Sequence, residues 1–222
     1  MVVAIIGAMD KEIEKYLKLY NPKLVDEKRK IYKTDNVIIS GSGIGKVNSA
    51  MMTQHLIDKY NVDVIISSGC AASLTNNLKV LDVVIPSCVT YHDFLPERVM
   101  RYSVPDEGNI KVDYNLICIF KEIVNNMKIK YIETAICSGD CYVTDSITAE
   151  DIVNKTGATV VDMESASIGH VARNNNIPFI TIRTISDFAD GNDSLEKKAA
   201  DISSEIVYKG IEKLLQQECM MR

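Results

Sequence analysis

Histidine is scarce in this chain, with only His55, His92 and His170 among 222 residues, and tryptophan is absent. So little imidazole argues against a zinc centre, whose sites draw on clustered His and Cys. The six cysteines, Cys70, Cys88, Cys118, Cys137, Cys141 and Cys219, include no Cys-x-x-Cys pair. Most lie in or beside apolar segments, so they read as small buried hydrophobes rather than a disulfide set. No apolar run approaches the ~18 residues of a membrane helix. The N-terminus lacks a basic segment followed by a small-residue cleavage site, and Val2–Ile6 reads as a first strand. A cytoplasmic protein without a membrane partner is expected. Positive charge is also short: 25 Lys and Arg against 30 Asp and Glu leave a net charge of −5. A nucleic-acid surface usually shows a strongly basic face, so no such partner is expected.

What is present is an ordinary globular balance, 46% apolar and 25% charged, in a chain long enough for one well-buried core. Strand-like runs are Val2–Ile6, Val37–Ser40, Val64–Ser68, Asp82–Pro86, Tyr131–Ser138, Thr159–Val161 and Pro178–Ile185. Several are nearly continuous Val and Ile, the pattern of strands covered on both faces. Between them, Leu116, Phe120, Ile123 and Met127 repeat at helical spacing, as do Ile202, Ile206, Ile211 and Leu215 with small slips. Lys46–Tyr60 and Ser165–Asn174 complete the helices. This alternation predicts an α/β fold: a central mixed sheet, largely parallel and partly curled into a barrel, flanked by helices. No linker or repeat divides residues 1–222, so a single domain is expected. Thr90–Gly108 and Asp187–Ser194 read as loops, the second with Asp193 or Ser194 as a helix cap.

Three distant stretches each carry an acid at the end of a hydrophobic run: Gly7-Ala8-Met9-Asp10-Lys11-Glu12, Asp162-Met163-Glu164 and Thr184-Ile185-Ser186-Asp187. In open α/β sheets ligands bind at the carboxyl ends of strands, so these acids are expected on one rim. Taken singly, Glu12 and Glu164 are helix-start acids favoured by the dipole, and Asp187 caps a turn. Arg183 lies inside an apolar strand, and a buried Arg requires a carboxylate partner. Gly41-Ser42-Gly43-Ile44-Gly45-Lys46 follows a strand and opens a helix. It has neither P-loop nor GxGxxG spacing, so it reads as a tight turn lining a crevice rather than a phosphate cradle.

Gly7-Ala8-Met9 with Glu12, Ser42-Gly43-Ile44-Gly45-Lys46-Val47, Ser138-Gly139-Asp140, Met163-Glu164 and Ser186-Asp187 together resemble the 5′-methylthioadenosine/S-adenosylhomocysteine nucleosidases, within the nucleoside phosphorylase superfamily. The similarity runs in order from Val2 to about Asp190. It implies a nucleoside phosphorylase-like fold, a purine nucleoside as the small-molecule partner and a homodimer whose 5′ sites are completed across the interface. It implies that Glu12 is the general base for an attacking water and that Asp187, oriented by Ser186, is the acid for the departing purine. Arg183 and Cys70 would help hold the water. Glu164 would accept hydrogen bonds from the ribose hydroxyls, and Met163 would touch the sugar. Tyr142 would stack on the base, the Val143 main chain would meet its edge, and Met9, Ile44 and Ala72 would line the pocket; the resemblance calls for no metal or organic cofactor.

The chain departs from that pattern at four places. Cys70 stands where Ser is usual, followed by Ala71-Ala72-Ser73 in place of a glycine-richer run, and a thiol is the poorer hydrogen-bonding group. Tyr142 replaces Phe. After Tyr91-His92-Asp93 the chain reads Phe94-Leu95-Pro96-Glu97-Arg98, and Asp190 to Ala200 is short and lacks an aromatic residue. Phe94, Leu95, Met100 and Tyr102 either rebuild an apolar 5′ pocket or form a dimer contact. Two other readings stay open: a phosphorolytic nucleoside phosphorylase, and a non-catalytic nucleoside-binding or storage protein on the same fold.

Overall fold

The Val-Ala-Ile-Ile-Gly run forms β1 (Val3–Gly7), buried at every position. It lies parallel to β4 (Val37–Gly41) on one side and β5 (Val64–Ser73) on the other, with Ile5 opposite Ile39 and Ile66. Strands flanked on both sides and covered on both faces favour near-continuous apolar runs, as here. The computed structural model describes residues 1–94, 96–191 and 194–221, Met221 by its backbone alone. Leu95 and Asp193, singled out above, lie outside the described residues.

β5 is the branch point of the sheet. Along its length it pairs parallel with β12 (Phe179–Asp187), which is buried throughout. At its far end Ala72 and Ser73 turn to pair antiparallel with β11 (Val160–Asp162). β11 continues into parallel β10 (Ile136–Ser138) and β7 (Cys88–Tyr91). The edges are antiparallel: β2 (Lys23–Asp26) and β3 (Ile31–Lys33) beyond β4, and β8 (Ile110–Lys111) beyond β7. β6 (Val83–Val84) joins β12 antiparallel and carries β9 (Tyr131–Ile132) in parallel. The fold is therefore an α/β domain on a mixed sheet, parallel at its heart.

Among the described residues seven helices flank it: α1 (Asp10–Tyr20), α2 (Lys46–Tyr60), α3 (Glu97–Ser103), α4 (Tyr114–Asn126), α5 (Ser146–Thr156), α6 (Ser165–Asn174) and α7 (Glu196–Met221). α2 and α6 keep the bounds expected from sequence. α4 buries Leu116, Phe120 and Ile123, and its Asp113 side chain caps the helix by accepting from Leu116 N. α7 buries Ile206, Val207, Ile211 and Leu214.

Four expectations shift. Tyr131–Ser138 is two strands, because β9 pairs with β6 whereas β10 pairs with β7 and β11. Residues 90–108 hold the end of β7, α3 and a short 3-10 turn rather than one loop. α5 and the β2–β3 hairpin, which is largely exposed, carry too little apolar periodicity to be read in advance. α7 begins at Glu196 with Leu195 before it, one residue past the cap expected at Ser194.

Candidate active site

Gly7 ends β1 and the chain turns at once into α1, so Glu12 sits in the first helical turn with its carboxylate folded back on that turn. Its Oε2 accepts from Ala8 N (2.7 Å) and Met9 N (3.0 Å). Its Oε1 accepts from Cys70 N (3.0 Å) on β5, and the Cys70 thiol stands 3.7 Å away. Glu12 is 4% exposed. The seat exists because residue 69 is glycine: a Cβ there would lie 2.0 Å from Glu12 Oε1. Burial, and then the nearby Glu12, push the Cys70 thiol far above its ordinary range, so it stays neutral.

β11 delivers Asp162 and Glu164. Glu164 precedes α6, and its Oε1 accepts from Gly45 N at 2.9 Å. Gly45 precedes α2 with φ of +95°, a conformation natural to glycine. The next amide, Lys46 N, donates to Asp140 Oδ1 at 2.8 Å. The N-terminus of α2 is thus occupied by two of the protein's own carboxylates. Burial, followed by the neighbouring Asp162 charge, raises Glu164 from 4.5 to about 8. Asp162 is the partner that Arg183 demanded: Arg183 Nε donates to its Oδ2 at 2.9 Å, with both side chains almost fully buried. Burial disfavours the guanidinium charge, but Asp162, Glu12 and Glu164 together outweigh that and hold Arg183 above its ordinary value.

Asp187 closes β12 where the pairing with β5 slips between Ile185 and Asp187. That irregularity turns its side chain to the rim. Oδ1 accepts from Ala189 N (2.9 Å) and Oδ2 from the Ser186 hydroxyl (2.7 Å). Ser186 Oγ also lies 3.2 Å from Ala71 O. A hydroxyl has one hydrogen, so it can donate to an ionised Asp187, or donate to Ala71 O and accept from a protonated one.

One cavity gathers most of these groups. Cys70, Ala72, Tyr142, Val143, Met163, Glu164, Ser186 and Asp187 line it, with Asp162 and Glu196. Glu12 and Arg183 stand just behind the lining, joined to it through Cys70 and Asp162 respectively. Met9 and Ile44 are outside the lining: Met9 stands at the N-cap position of α1 with no side-chain cap bond, and Ile44 is 51% exposed. Phe94 and Met100 line a separate cavity beyond β7, and Tyr102 is exposed, so within one chain they build no wall beside Asp187. A larger cavity near Ala8, Gly43, Lys28, Lys30 and His55 offers mainly surface ion pairs such as Lys30–Asp10. Sequence reasoning gave no role to Asp162 or Glu196. The lone Arg183 was the available signal for the first; Glu196, paired with Lys11, had none. Among the described residues no group of three His, Cys, Asp or Glu could hold a metal.

Residues 2–215 match the family model of the phosphorylase superfamily. The chain is similar to the 5′-methylthioadenosine/S-adenosylhomocysteine nucleosidase of Buchnera aphidicola subsp. Schizaphis graminum, 36% identical over 203 residues covering 86% of each chain. It is 33% identical to the Staphylococcus saprophyticus nucleosidase of the same description, over 93% of this chain and 97% of that one. Among solved structures, the Neisseria meningitidis 5′-methylthioadenosine/S-adenosylhomocysteine nucleosidase in complex with methylthio-immucillin-A matches with a TM-score of 0.89 and 31% identity, covering 96% of this chain and 99% of that one. A mutant futalosine hydrolase of Helicobacter pylori matches with a TM-score of 0.89 and 26% identity over the same shares.

Proposed function

Because this chain belongs to the 5′-methylthioadenosine/S-adenosylhomocysteine nucleosidase family of the phosphorylase superfamily, we propose that it hydrolyses the N-ribosidic bond of purine nucleosides, above all those two. Adenine and the 5′-substituted ribose are released. The observation that carries this reading is that Glu164 and Asp187 face one cavity whose Cys70 wall is bonded to Glu12.

In this reading the purine lies against Tyr142, with its five-membered ring toward Asp187. As the C1′–N bond breaks, its electron pair passes to the purine, and Asp187 donates a proton to the ring nitrogen. The ribose becomes cationic, and Glu164 accepts from its hydroxyls with Oε2 while Gly45 holds Oε1. That contact strengthens as charge develops, so it favours the transition state over the ground state. Water attacks C1′ and yields its proton to Glu12, whose turn and β5 contacts hold the carboxylate ready.

Water rather than phosphate is the acceptor. A phosphate cradle needs free amides at a helix N-terminus. Here Gly45 N and Lys46 N are engaged by Glu164 and Asp140, and Ala8 N and Met9 N by Glu12. An incoming dianion would meet carboxylates in their place.

The protein works as a homodimer in the cytoplasm. Ile44, Val47 and Met51 are 51%, 76% and 61% exposed. They form an apolar strip beside Gly45, fit to be covered by a second copy that also closes the open side of the cavity. Among the described residues the cysteines are free thiols, as suits a reducing compartment, and no helix is long and apolar enough to cross a membrane. Light scattering at micromolar concentration is expected to give twice the chain mass.

The deciding experiment is chromatography of bases released from methylthioadenosine, adenosylhomocysteine, adenosine, inosine and futalosine, with and without phosphate. Adenine release from the first two, unchanged by phosphate and without ribose 1-phosphate, is expected. Release only with phosphate would make the protein a phosphorylase, and no release from any of them would leave a binding protein.

A further inference from the structure

Asp162 takes no part in the chemistry above, yet it is the most heavily bonded side chain at the site. Its Oδ1 accepts from Ser138 Oγ (2.5 Å), Glu164 N (3.2 Å) and Ser165 N (3.1 Å). Its Oδ2 accepts from Ser165 Oγ and from Arg183 Nε, the latter at 2.9 Å. Arg183 is held at its other end by donating to Ser67 Oγ at 2.9 Å. Ser138 Oγ in turn accepts from Ala166 N at 2.9 Å, so β10 also grips the first turn of α6. One carboxylate oxygen therefore fixes the backbone that carries Glu164, and the other fixes the guanidinium behind Cys70.

We propose that Asp162 is a positioning residue for the hydrolysis: it couples the orientation of the ribose-facing Glu164 to that of Arg183 on the water side. This rests on the reading of the site given above. A helix cap and a buried ion pair would stabilise any protein. The distinguishing feature is that these two functions meet on one side chain, between the acid assigned to the ribose hydroxyls and the guanidinium behind Cys70.

Two consequences follow that a purely structural role would not produce. Loosening Asp162 should blunt recognition of the ribose 2′-hydroxyl, because Glu164 loses its fixed backbone. Removing the Asp162 charge should also ease the ionisation of Glu164. The charged or polar groups facing Glu164 are Asp162 from β11, Arg183 from β12, Glu12 from α1 and the Gly45 amide before α2. Taking away the acid nearest to it, and freeing the Arg183 charge, both act in the same direction. The ascending limb of kcat/KM should therefore move to lower pH.

The test compares kcat/KM for methylthioadenosine and its 2′-deoxy analogue across pH in the wild type and in Asp162→Asn, Ser138→Ala and Glu164→Gln. A charged hydrogen bond to the hydroxyl should make the wild type favour the ribonucleoside by roughly 10- to 100-fold. Asp162→Asn is expected to shrink that preference by roughly 5- to 50-fold and to shift the limb to lower pH. Ser138→Ala removes one donor without stranding Arg183, and should shrink the preference less, in the same direction. If Asp162→Asn does not fold, Ser138→Ala decides. An unaltered preference in the folded variants, beside a lowered melting temperature, overturns the proposal and leaves Asp162 a structural residue. If Glu164→Gln keeps the full preference, or the wild type releases no adenine, the reading of the site falls and the role of Asp162 with it.

Discussion

The amide of Gly45 donates to Glu164 Oε1 at 2.9 Å across 119 positions of sequence. A glycine turn that could have greeted a phosphate instead holds the acid assigned to the ribose. The contact needs the positive φ of Gly45 and room for the backbone, since a Cβ there would stand 2.8 Å from Asp140 Oδ1. Gly45→Ala should therefore raise KM for methylthioadenosine by about tenfold or more, the worth of a displaced charged hydrogen bond. Steady-state kinetics showing an unchanged KM would detach Gly45 from substrate binding.

Gly69 does for Glu12 what Gly45 does for Glu164. A methyl group at position 69 would overlap Glu12 Oε1, so Gly69→Ala must expel the carboxylate from its seat. The expected result is a fall in kcat of roughly 10²-fold or more, matching the loss of a general base. Glu12→Gln should cost as much, and the double variant little more than either alone, because both remove the same function. Additive losses would mean that Gly69 acts by another route.

Glu164 stores a proton. Its value is about 8 in the folded chain against 4.5 when unperturbed. Between those values the native state binds a proton that the unfolded state does not, so stability falls as pH rises through this window. The contribution is fully present below about pH 4.5 and lost once pH passes about 8. Melting temperatures across that range should fall with a steeper slope in the wild type than in Glu164→Gln. Ribose hydroxyls donate and so favour the ionised acid. Binding of a non-hydrolysable nucleoside at pH 7 should release a proton, detected by calorimetry in buffers of different ionisation enthalpy. Proton uptake would contradict this.

Cys70 is a neutral thiol, held so by burial and by Glu12. Thiolate is the reactive species, so Cys70 should resist alkylation. Brief iodoacetamide treatment at pH 7.5 should label the exposed Cys118, Cys141 and Cys219 first. Peptide mass spectrometry finding Cys70 labelled as fast as these would show that the thiol is not buried beside Glu12.

Asp187→Asn keeps the shape of the side chain but abolishes its acid form. Adenine release should drop by about 10²–10⁴-fold, while the melting temperature changes little, because the amide oxygen can still accept from Ala189 N while its NH2 donates to Ser186 Oγ, whose own hydrogen turns to Ala71 O. A loss no greater than that of a surface substitution would remove Asp187 from catalysis.

The parallel heart of the sheet was legible because β1, β4, β5 and β12 announce themselves locally. Strands covered on both faces are near-continuous apolar runs where they enter the core, and Val and Ile supply that pattern without reference to the rest of the chain. The helix periodicity of Leu116, Phe120 and Ile123 is equally local. The edge hairpin β2–β3 was not legible: β2 is largely exposed, β3 is only three residues long, and pairing out to β4 is what makes them strands.

At the site, the sequence by itself determined which acids follow which strands, and, through an arginine alone in an apolar run, that a further carboxylate must lie near Arg183. It could not say that this carboxylate is Asp162, that Gly45 N–H grips Glu164, or that Met9 and Ile44 stand outside the cavity of a single chain. Those outcomes were decided by tertiary structure, by the branch at β5 and the register slip before Asp187. Hydrophobic periodicity is written over a few neighbouring residues, whereas hydrogen-bond partners are chosen among groups that only the folded sheet brings within 3 Å of each other.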